Sequence, residues 1–88
     1  MTFQIQSFSV GRTTTIRLVG QVQGEHLQIL NEQIRSSGPH AVLDLDEVTL
    51  VDLEVVHYLE MCEEQGIEIL NAPPYVRNWI RREQDRQK

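Results

Sequence analysis

The sequence predicts an α/β fold: a four-stranded mixed sheet with three helices mainly on one face. An N-terminal antiparallel hairpin leads, and right-handed β-α-β crossovers follow. Three observations carry this. Apolar residues recur alternately at strand and helix spacing, in the order β-β-α-β-α-β-α. The first two strands are separated only by Gly11-Arg12, so they must pair as a hairpin. The strand residues also divide unequally between two faces. Ile16, Leu18, Leu43, Leu45, Ile67 and Ile69 make one face apolar, whereas Gln4, Gln6, Arg17, Asp44 and Glu68 mark the other, relieved by Val19, Val42 and Leu70. A sheet covered by helices on both sides would need two apolar faces.

Each element has a local reason. Phe3 to Val10 alternates, with Phe3, Ile5 and Ser7 opposite Gln4 and Gln6; Thr13 to Gly20 is β-branched and alternates as well. Gly24 to Ser37 carries Leu27, Leu30 and Ile34 at helical spacing, and Ser36-Ser37-Gly38-Pro39 is expected to stop that helix, with Gly38 at its C-terminal cap. His40 to Leu45 is the third strand. Asp46-Glu47 breaks the alternation and reads as an acidic turn, after which Val48 and Leu50 return the chain to the core. Asp52 stands where a helix N-cap belongs. Leu53 to Gln65 then places Val55, Val56, Leu59 and Cys62 on one stripe, Gly66 caps it, and Ile67 to Leu70 is a short fourth strand. After Pro73-Pro74 a third helix turns Val76, Trp79 and Ile80 inward and its arginines outward; Asp85 to Lys88 are expected to fray.

At 88 residues the chain suits one domain, residues 1–88, with a modest core. It has no apolar run long enough for a membrane span and no secretory leader pattern, so a cytoplasmic protein is expected. The lone Cys62 reads as a buried thiol rather than a redox group. Of a net charge of −5, nine acids and no lysine or arginine fall between Asp44 and Glu68. Such a body disfavours nucleic acid as a partner, since phosphate neutralisation carries that binding. The arginines after Tyr75 are explained by the dipole of the last helix.

The segment Ala41 to Val56, a strand passing through an acidic stretch to a helix start, sits where small α/β domains keep their sites. Together with the element order, Gly20 after the second strand, the run AVLDLDEVTLVD and the Gly66-Ile67-Glu68-Ile69-Leu70 entry to the last strand, it resembles the STAS domain, the family of bacterial anti-sigma factor antagonists. The resemblance spans roughly residues 14–70. It implies a non-catalytic protein-binding module, whose partner is a kinase-like anti-sigma factor or another element of a bacterial regulatory system. In phosphorylatable members the aspartate closing this loop is followed by Ser or Thr, a small residue and glycine. Here Asp52 is followed by Leu53, Glu54 and Val55, so the resemblance carries over a docking surface but no phosphoryl switch. Thr49 is the one hydroxyl in the loop, and nothing in the pattern makes it a substitute. Glu54 reads either as a dipole-matching first-turn residue or as a fixed mimic of the modified state.

Other chemistry is set aside. His57, Glu60 and Glu64 share a helical face, but a solvated face accounts for them better than a metal does. Asp44, Asp46 and Asp52 lack the lysine or threonine that Mg²⁺-dependent phosphoryl chemistry would add, and Cys62 with His57 is a poor nucleophile–base pair. No cofactor is expected, and the chain is not expected to be an enzyme. Tyr75, after the prolines, reads as a half-exposed lid and Trp79 as a core anchor. The expected partner surface is Asp46, Glu47, Asp52, Leu53, Glu54 and His57, with Leu53 an apolar anchor inside a charged rim. Two other readings stay open. One is a homodimer through the open sheet face or the first strand's edge; the other is a small ligand at the strand ends.

Overall fold

The computed structural model describes residues 3–37 and 40–86. Strands β1 (Phe3–Val10), β2 (Thr13–Val22), β3 (His40–Val51) and β4 (Glu68–Leu70) form one sheet in that order. β1 runs antiparallel to β2, whereas β2–β3 and β3–β4 are parallel. Helices α1 (Leu27–Arg35) and α2 (Leu53–Glu64) make the two crossovers, and α3 (Pro74–Arg86) closes the chain. The four-stranded mixed sheet with three helices is the fold class that the sequence implies.

The apolar face becomes the core. Ile16, Leu18, Leu43, Leu45 and Ile69 pack with Leu30 of α1, with Val55, Val56, Leu59 and Cys62 of α2, and with Val76 and Ile80 of α3. Each fully buried aliphatic side chain contributes about 1.5–3 kcal/mol. On the opposite face Arg17 and Asp44 are paired residues of β2 and β3, and their charged groups approach to 3.8 Å. That face is half-exposed and polar, as its composition requires.

Several boundaries differ from the sequence reading. β3 does not end at Leu45. It continues through Asp46-Glu47 to Val51, because two register shifts insert extra residues against β2. Leu45 and Asp46 lie opposite Leu18 alone, and Thr49 is added between Gly20↔Val48 and Gln21↔Leu50. Each is a bulge, which re-aims the side chains beyond it. The first lets Asp46 and Glu47 both face solvent while Val48 returns to the core. The second turns Leu50 outward, so Leu50 is not the core residue its apolarity suggests. Gly20, at φ +88°, supplies the left-handed backbone on β2 between these irregularities, and β2 runs on to Val22 rather than stopping at Gly20.

The first helical segment begins as a single 3₁₀ turn over Gly24–His26, and only then becomes α1. His26 accounts for this. Its ring stacks on Phe3 at 4.0 Å and 7°, and its Nδ1 accepts the Gln23 N–H at 3.0 Å. α1 ends at Arg35, and the stop assigned to Gly38-Pro39 lies outside the described residues. α2 finishes with Gly66 N–H donating to Glu63 O and Ile67 N–H to Cys62 O, which leaves Ile67 in the cap and starts β4 at Glu68. Asp85 and Arg86 belong to α3 rather than to a frayed end. Trp79 is partly buried against the core. No helix among the described residues is long and apolar enough to cross a membrane.

Candidate functional site: the head of the second helix

Asp52 is the N-cap of α2, with extended backbone and its Oδ1 accepting the Val55 N–H at 3.0 Å. Its second oxygen is also engaged. Oδ2 accepts the Gly24 N–H, the first of the 3₁₀ turn, at 2.9 Å. One carboxylate thus satisfies free N–H groups at two helical starts that lie 28 residues apart in sequence. Asp52 is half-buried and committed to the fold, so it supports the surface from beneath instead of forming part of it.

Glu54 lies against the same turn. A methyl group built on Gly24 would meet the Glu54 carboxylate at 2.7 Å, so the missing side chain at Gly24 is what lets the carboxylate settle there. Glu54 remains exposed. Leu53, between these two acids, is 47% exposed, and Leu50, just before the helix, is 48% exposed. Tyr75 in the first turn of α3 donates its hydroxyl to the Thr49 carbonyl at 2.5 Å, tying that helix to the end of β3. Its ring stays exposed and its partial burial pushes the phenol pKa upward. Leu50, Leu53 and Tyr75 are large apolar groups left exposed on β3, α2 and α3, and Asp46, Glu47 and Glu54 are exposed acids of β3 and α2.

The six residues singled out from sequence therefore separate. Leu53 and Glu54 sit together at the helix head. Asp46 lies in the first bulge and Glu47 directly after it, paired with Val19; the Asp46 N–H donates to Asp44 Oδ1 at 3.0 Å and the Asp46 carboxylate stands 4.0 Å from Arg17. His57 lies one turn further along α2 and points toward α3, with Nε2 2.8 Å from Glu83 Oε1. Because a carboxylate only accepts, this nitrogen carries the proton. The bond from His57 holds the Glu83 carboxyl below its ordinary range, and the charge of Arg86 acts in the same sense. His57 is thus a link between helices as well as a half-exposed surface residue.

Sequence reasoning missed Leu50, whose exposure follows from the second bulge, and Glu60, which it placed on a solvated face. Glu60 is buried at 4% exposure, since α2 is covered by the sheet and by α3 over a wider arc than its apolar stripe. Burial pushes the Cys62 thiol up to about 11 and the Tyr58 hydroxyl up to about 12. Neither group has the character of a nucleophile or base at neutral pH. Among the described residues no three His, Cys, Asp or Glu side chains converge as a metal site.

With the geometry in place, the chain can be set beside known proteins. It resembles the anti-sigma factor antagonist SpoIIAA. The solved structure of that protein in its unphosphorylated form superposes with a TM-score of 0.61 at 15% sequence identity, covering 91% of this chain and 82% of that one. At this identity the likeness is one of fold, and it agrees with the fold that the STAS resemblance implies. No protein-family model matches the chain, and no curated protein matches it in sequence.

Proposed function

We propose that this chain is a non-catalytic protein-interaction module of STAS type, acting in bacterial regulation as an anti-sigma factor antagonist without the Ser/Thr phosphorylation switch. It is a single cytoplasmic domain over residues 1–88, and its partner is an anti-sigma factor of the kinase-like kind. The observation that carries this reading is Leu53, exposed at the first position of α2 directly after the capping Asp52, where phosphorylatable relatives hold their hydroxyl. An apolar anchor within an acidic rim has the anatomy of a binding patch. Leu53, Glu54, Asp46 and Glu47 form the contact surface with Leu50 and Tyr75, while Asp52 and His57 hold it in shape. Carboxylates already stand at the helix head, Asp52 accepting the Val55 N–H and Glu54 lying against the Gly24 turn, which favours a surface that is not toggled.

The test is intact-mass spectrometry of the protein from its native host across growth conditions. A single unmodified species is expected, and a phosphate on Thr49 that varies with growth overturns the reading. A second reading, self-association, is favoured by one observation. Phe8 and Val10 on edge strand β1 are 54% and 76% exposed. Light scattering at tens of micromolar decides it, since a monomer at that concentration removes the homodimer.

A further inference from the structure

Beyond the helix head, α2 carries a second feature. A notch of about 150 Å³ lies along it, lined by His57, Glu60, Met61 and Glu64. Glu60 is the unusual member. It is 4% exposed, and its Oε2 is buried without a hydrogen-bond partner among the described residues. A buried carboxylate oxygen left unsatisfied is costly, and native proteins rarely leave one without a use. Among the described residues no lysine or arginine pairs with Glu60; Arg77 pairs with Glu63 at 2.8 Å, and Arg86 stands 3.4 Å from Glu83. His57 directs its Nε2 to Glu83 at 2.8 Å.

The geometry points to the notch as a subsite for a guanidinium group, the side chain of an arginine on the protein that docks against α2. The occupant follows from the lining. Glu60 and Glu64 are one turn apart and both line the one opening, and a pair of carboxylates suits a planar fork of donors. Met61 offers a soft apolar wall for the arginine stem. A guanidinium is more weakly hydrated than an ammonium and enters a half-buried site at lower cost, which sets arginine ahead of lysine. A metal ion is disfavoured because no three ligating side chains converge there. α2 has four glutamates and no lysine or arginine of its own to fill the place. The identity of the donor, a protein partner, rests on the docking reading given above; the chemistry of the notch does not.

The experiment is an NMR titration of the intact chain, following the Met61 methyl and His57 ring signals. The probe is N-acetyl-arginine methylamide, with the lysine analogue and the neutral isostere N-acetyl-citrulline methylamide in parallel arms. Saturable shifts at both residues are expected with the arginine probe alone. Glu60→Gln is expected to weaken binding about tenfold, in line with the loss of one charge-assisted hydrogen bond. Glu68→Gln, an exposed acid on the other sheet face, leaves it unchanged. Should Glu60→Gln fail to fold, Glu64→Gln at an exposed position serves instead and is expected to weaken binding in the same direction. Shifts that do not saturate, equal binding of the lysine probe or of Mg²⁺, or an affinity indifferent to both Gln substitutions overturn the assignment. The Leu53→Arg, Glu54→Arg double variant is expected to retain probe binding, so the notch and the helix-head surface fail or stand separately.

Discussion

The Gly24 N–H donates to the Asp52 carboxylate at 2.9 Å, so the residue that caps α2 also caps the turn leading into α1. This single contact fixes the helix head relative to the end of β2, and it makes the presentation of Leu53 and Glu54 a property of the fold. Replacing Asp52 with Ala leaves two N–H groups without acceptors. The expected cost is about 2–3 kcal/mol, from a lost cap and a second half-buried donor. For a domain of this size that lowers Tm by roughly 10 °C or more, readable by calorimetry. Asp52→Asn keeps an acceptor oxygen and is expected to lose less than half as much.

Gly24→Ala should act differently. The added methyl meets only the far end of the Glu54 side chain, which can swing away. Stability is expected to change by no more than about 0.5 kcal/mol, the range of ordinary surface substitutions. The Glu54 carboxylate is displaced from the turn, and its side-chain carbonyl carbon should shift in NMR spectra while those of Asp46 and Glu47 do not.

The His57–Glu83 link gives stability an acid dependence. Glu83 has a folded-state value below its ordinary 4.5, chiefly through the hydrogen bond from His57. A lowered carboxyl value contributes stability that is complete above the unfolded value and disappears as pH falls through the folded one. Wild-type protein should therefore lose stability below about pH 4.5 more steeply than Glu83→Gln does. Denaturant unfolding between pH 6 and pH 3 measures the difference.

Cys62 is buried, and its thiol value is raised from 9.0 to about 11 by that burial. A raised thiol value stabilises below the unfolded value and is lost as pH climbs through the folded one, so stability should fall between about pH 9 and pH 11. At neutral pH the thiol should resist a disulfide-exchange reagent in native protein and react promptly in denaturant. Prompt reaction of native protein would contradict the packing of α2 against the sheet.

Much of this architecture is legible in the residues. The alternation of Ile16 and Leu18, and of Leu43 and Leu45, marks the inner face, and an aspartate ahead of an apolar helical stripe marks the cap. What stays hidden depends on distant partners. Nothing local to Asp52 tells of Gly24, and nothing local to Tyr75 tells of Thr49. Asp46-Glu47 breaks the period of two in the way a turn does, yet a bulge breaks it equally and keeps the strand paired. Glu60 lies beside the stripe of α2, and only the packing of α2 against the rest of the fold decides that it is buried. At the surface itself, Leu53 and Glu54 are readable because their positions follow from the cap, whereas Leu50 depends on a second bulge with no sequence signal of its own.

The most direct measurement is the affinity of the proposed partner, a kinase-like anti-sigma factor, for this chain and for the Leu53→Arg, Glu54→Arg variant, with calorimetric Tm as the folding control. Both positions are exposed, so the variant should melt within a few degrees of the wild type. The expected result is a loss of affinity of at least about thirtyfold, the scale of a central interface anchor worth about 2 kcal/mol. Equal affinities for the two proteins, with the variant folded, would contradict the account.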